Sequence, residues 1–113
     1  MKRALFALAL AAPGVCVAKL PAGLPCPSWP TNIAEVALKN AKIVDIADLD
    51  ESKTQAQPIA IQQIGKDLYR QVYSITFHSK SGKTFHVITV NNASSEECSM
   101  SDVTVYQASK IPE

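Results

Sequence analysis

The side chains of this 113-residue sequence best suited to chemistry are two histidines, His78 and His86, an acidic run, Asp45, Asp48, Asp50 and Glu51, and a Gly82-Lys83-Thr84 triplet. Two imidazoles on neighbouring strands could grip a transition metal, but such sites normally hold three or four ligands, and the adjacent Thr76 and Thr84 are poor ones. Acid–base catalysis by either histidine would need a carboxylate to orient it, and neither flanking run supplies one. A calcium loop opening at Asp48 requires glycine at position 53 and glutamate at position 59, where Lys53 and Ile59 stand. The glycine-lysine-threonine triplet resembles the end of a phosphate-binding loop, yet Phe77 occupies the place of that loop's first glycine and no helix pattern follows. The sequence also contains no Gly-x-Ser-x-Gly, His-Glu-x-x-His or Cys-x-x-Cys. No catalytic residue, metal ligand or cofactor is therefore assigned, and the expectation is a protein that is not an enzyme.

Cysteine usage is more informative. The first 18 residues, MKRALFALALAAPGVCVA, place two basic residues before an apolar stretch from Ala4 to Ala12 and a Pro13-Gly14 break, the order of a signal peptide cleaved after Ala18. The apolar stretch is too short to span a membrane, which takes about twenty residues. Its removal leaves Cys26 and Cys98, and an even pair in an exported chain predicts a disulfide. The alternative is a lipoprotein acylated at Cys16, against which Val15 in the preceding position argues. Loss of Lys2 and Arg3 takes the formal charge from +1 to about −1 with no basic patch, which disfavours nucleic acid and anionic membrane as partners. The location expected is periplasmic or secreted.

The elements that must position these groups follow from periodicity. Residues 19–30 form an extended, proline-rich arm, because Pro21, Pro25, Pro27 and Pro30 oppose regular structure. Trp29, the single tryptophan, is expected to close the edge of the core, the alternative being an exposed platform for a ligand. A short helix follows, capped near Thr31 or Asn32 with Glu35 completing the box, its apolar stripe being Ile33, Val36, Ala37 and Ala41. Strands are expected from about Lys42 to Leu49 and over Ile59, Ile61 and Gln63, with a polar loop between them that ends at Pro58. A hairpin then runs from Leu68 to Val90. A three-residue loop, Lys80-Ser81-Gly82, pairs Phe77 with Phe85, Ile75 with Val87 and Tyr73 with Thr89, whereas a two-residue loop would bury histidine. The last strand carries Val103 and Val105 on one face, and residues 111–113 form a loose tail.

The expected fold is α+β: one N-terminal helix packed on a four- to five-stranded antiparallel sheet, in a single domain over residues 31–110. This element order resembles the cystatin-like folds in outline, although the Gln-Val-Val-Ala-Gly hairpin of the cystatin inhibitors is absent. Fold does not assign function. The reading of the residues favours a small exported protein-binding module of inhibitor or immunity type, expected to be monomeric. Its candidate surface is the hairpin face opposite the aromatics: Ser74, Thr76, His78, Thr84, His86 and Ile88. The competing readings are an envelope module that self-associates through a strand edge and a small hydrolase using His78 or His86.

Overall fold

A computed structural model describes residues 20–108. The signal segment, the Cys16 alternative and the 111–113 tail lie outside the described residues. The elements are a helix α1 (Ser28–Asn40) and four strands: β1 (Gln55–Gly65), β2 (Leu68–His78), β3 (Thr84–Ala93) and β4 (Thr104–Ala108). The strands form one antiparallel meander in the order β1-β2-β3-β4.

The central hairpin has the expected register, with Phe77 opposite Phe85, Ile75 opposite Val87 and Tyr73 opposite Thr89. Ser79 N–H donates to Lys83 O, enclosing Lys80, Ser81 and Gly82, and Gly82 takes the left-handed conformation at φ 98°. Tyr73, Ile75, Phe77 and Val87 are fully buried in a cluster completed by Ala34, Leu38 and Leu49. Helix and sheet thus share one core.

The helix departs from expectation at its start. It begins at Ser28, with no side-chain cap, and takes Pro30 into its first turn, where proline's missing N–H has no helical acceptor to lose. Its buried residues are Pro30, Ala34 and Leu38, one stripe at four-residue spacing, while Val36 is 45% exposed. Of the expected stripe, Ile33 and Ala37 flank the buried residues and are half-buried, whereas Val36 and Ala41 are exposed. The helix does end at Asn40. Lys42 sits beyond it at φ 62°, with Lys42 N–H donating to Lys39 O and Ile43 N–H to Leu38 O, a Schellman closure built without glycine.

No strand forms between Lys42 and Leu49, so the sheet has four strands among the described residues. Asp45 accepts from Ala47 N–H and Asp50 from Ser52 N–H, and each caps a single 3-10 turn, Ile46–Asp48 and Glu51–Lys53. Local carboxylate-to-backbone bonds won over strand propensity. Only Leu49 pairs with the sheet, in an isolated bridge to Ser79. Conversely, β1 extends back to Gln55 through Pro58, which a loop was expected to exclude. It is an edge strand, where a missing donor can face outward, and the register shifts just after the proline. Ile59 lies on this strand as expected, but within that irregularity, and is 57% exposed.

Candidate functional site

The six residues singled out from the sequence pair directly across the central hairpin: Ser74 with Ile88, Thr76 with His86, and His78 with Thr84. Alternation along both strands puts them on the face opposite Phe77 and Val87. All but Thr84 are half-buried. Strand β4 extends the same face with Tyr106 opposite Ile88 and Thr104 opposite Val90, and Tyr106 is 56% exposed. Val72, opposite Val90, adds further apolar surface. The two histidines stand diagonally, and His86 Nδ1 lies 3.1 Å from Thr76 Oγ1. Among the described residues no group of three or more His, Cys, Asp and Glu side chains converges as a metal site would require.

The acidic run serves the hairpin tip. Ser81 Oγ donates to Asp48 Oδ2 at 3.0 Å, Lys80 N–H donates to Asp48 O, Lys80 Nζ donates to Ala47 O, and Asp50 N–H donates to His78 O. The segment from Asp45 to Asp50 therefore clamps the tip from one side, which explains its carboxylates without an ion. Nearby, burial pushes the Glu35 carboxyl up from its usual 4.5 to about 7, and hydrogen bonding to and repulsion from Glu51 add to this.

The opposite end of the sheet carries a second constellation, of which the sequence predicts only the disulfide. Cys26 and Cys98 form the expected disulfide, with Cα atoms 5.3 Å apart across a separation of 72 residues. Beneath it the Gln71 side chain is fully buried. Its Oε1 accepts from Cys26 N–H at 3.0 Å and from the Tyr73 hydroxyl at 2.5 Å, while its Nε2 lies 3.5 Å from Cys26 O and 3.4 Å from Cys98 O. Asn91, directly opposite Gln71 on β3, donates through Nδ2 to Cys98 O at 2.9 Å and to Ser99 Oγ at 3.1 Å. Burial pushes the Tyr73 hydroxyl up to about 12, so it remains a donor at any physiological pH. A polar residue recurring at every second place with the aromatics was the available signal: Gln71, Tyr73, Ile75 and Phe77 share one face.

Above the disulfide lies a recess of about 450 Å³ lined by Ser28, Trp29, Glu97, Cys98, Ser99 and Ser101. Trp29 is 49% exposed there rather than packed into the core. Because the helix begins at Ser28, Trp29 belongs to its first turn, and the buried stripe starts with the next residue, Pro30.

Comparison with known proteins returns no matching family model, no matching curated protein and no matching solved structure.

Proposed function

We propose that the chain is a small exported, non-enzymatic binding module of inhibitor or immunity type, acting in the cell envelope through the outer face of its sheet. The observation that carries this reading is the character of that face. Among the described residues the helix packs on one side of the sheet only, and the other side presents Val72, Ile88, Val90 and exposed Tyr106 among hydroxyls and imidazoles. An apolar centre with a polar surround is the usual make-up of a protein-binding patch. The disulfide supports an oxidising location, periplasmic or secreted. A cystatin-like layout, helix on one face and strands open on the other, suits the same role.

The test is a pull-down from envelope extract with Thr76→Glu and Ile88→Glu variants of unchanged melting temperature. Loss of a partner that the wild type retains is the expected result. Retention of every partner by both variants would sink the reading.

One observation favours self-association instead. The free edge strand β1 carries no charged residue along its 11 residues, whereas exposed edges are commonly guarded by lysine. Pro58 and two register shifts interrupt that edge, and they argue for the monomer. Mass measured in solution separates the two readings, a stable dimer or filament favouring the edge.

A further inference from the structure

The recess above the disulfide lies away from the proposed outer face, and its chemistry is distinct. We propose that it is a binding site for a guanidinium group, presented as an arginine side chain by a protein or peptide partner.

Three observations converge on this ligand. First, an indole lines the recess. Trp29, half exposed on the first turn of α1, is held by a helix that is anchored at Pro30, Ala34 and Leu38. An indole is the best of the aromatic faces for a cation, and a planar guanidinium stacks on it as well as attracting it. Second, the recess holds one carboxylate, Glu97, and no basic residue. Glu97 makes no side-chain hydrogen bond or ion pair with the described residues, so both oxygens are open to a forked donor. Third, the surroundings share this sign. The loop from Ser94 to Asp102 carries Glu96, Glu97 and Asp102 and no Lys or Arg, and the Leu20–Pro27 arm with the first three residues of α1 is uncharged.

The helix start opposes a cation, since an N-terminus carries roughly half a positive charge. A full carboxylate in the recess, with two more on its loop, outweighs that. The wall is also prebuilt: Ser99 Oγ donates to Ser101 O at 2.6 Å, Ser101 Oγ accepts from Asn92 N–H at 2.9 Å, and Asn91 holds both Cys98 O and Ser99 Oγ. The Ser28 hydroxyl rests only against the two sulfurs, at 3.7 and 3.9 Å, and is free to accept from the ligand. A shallow, preformed recess with one aromatic and one carboxylate matches a single anchor side chain of a larger partner better than a free metabolite.

Trp29 is the single tryptophan in the sequence, so fluorescence excited at the red edge of the absorption band, where the three tyrosines do not absorb, reports on this site. The experiment titrates the oxidised protein with N-acetyl-arginine amide and, separately, with the neutral isostere N-acetyl-citrulline amide. The expected result is a saturable fluorescence change with the arginine compound, weakened about tenfold or more by Glu97→Gln. The remote Glu51→Gln, which alters net charge equally, should leave the titration unchanged. Absence of a saturable change, an equal response to citrulline, or equal weakening by both variants would overturn the proposal. None of these outcomes bears on the outer-face variants, so the two readings fail separately.

Discussion

Gln71 and Cys26 are bonded as two paired strands would be: the Gln71 side-chain carbonyl accepts the Cys26 N–H at 3.0 Å, and its amide nitrogen faces the Cys26 carbonyl at 3.5 Å. A side chain of β2 thus replaces a missing backbone neighbour for the proline-rich arm. The same amide reaches Cys98 O, so both half-cystines are held at their backbones as well as through sulfur. Replacing Gln71 with leucine preserves volume but strips the Cys26 N–H and the Tyr73 hydroxyl of their partner. The expected loss is about 2–4 kcal/mol in urea-induced unfolding, the range for buried groups left unpaired.

Removal of the bridge acts through the unfolded chain. Closing a 72-residue separation is worth about 4 kcal/mol by loop-entropy reasoning. Cys26→Ser with Cys98→Ser should lower the urea midpoint accordingly. Hydrogen exchange in the Leu20–Pro27 arm should accelerate more than in the Tyr73–Phe77 core, because Gln71 alone cannot retain the arm.

Two left-handed glycines should respond unequally. A β-carbon on Gly23 would lie 2.6 Å from Ser95 O, and the residue sits at φ 94°. Gly82, at φ 98°, has open space around it. Gly82→Ala is expected to cost about 1 kcal/mol from backbone strain alone. Gly23→Ala should cost more, about 2–4 kcal/mol, as it also forces the arm off the Ser95 loop. Thermal unfolding of both variants ranks them.

Lys42 occupies a left-handed position at φ 62° where glycine would be unstrained. Lys42→Gly should raise stability by about 0.5–1 kcal/mol, since the strain relieved exceeds the chain entropy glycine adds. A fall in melting temperature would refute this account of the helix end.

Glu35 sets a pH dependence. Its carboxyl titrates near 7 in the folded protein against 4.5 ordinarily, so the folded state holds the proton more tightly between those values. Stability should therefore fall as pH rises from about 4.5 to 7 and level off above. Glu35→Gln should flatten that segment of the melting-temperature profile and raise the plateau at pH 8. Glu51→Gln should flatten it in part, because burial, the largest cause of the shift, would remain.

What was legible in the sequence were the features that local periodicity and pairing chemistry determine. Strict alternation from Tyr73 to Phe77 and again around Val87, joined by Gly82, admits one register that buries aromatics and leaves His78 and His86 outside, and the protein adopts it. The two cysteines that follow the expected signal segment, Cys26 and Cys98, predicted the bridge. Tertiary structure decided what depended on competition between distant groups. Pro30 could enter a helix because it stands in the first turn. The segment Lys42–Leu49 gave up its strand because Asp45 and Asp50 cap their own turns and Asp48 holds the hairpin tip. Trp29 faces a recess because the helix begins before it, and Gln71 is buried because the N-terminal arm brings Cys26, and the loop before β4 brings Cys98, to its amide. Periodicity of two or 3.6 residues shows which face a side chain takes, but the partner that meets it across 27 or 45 residues exists only once the chain has closed.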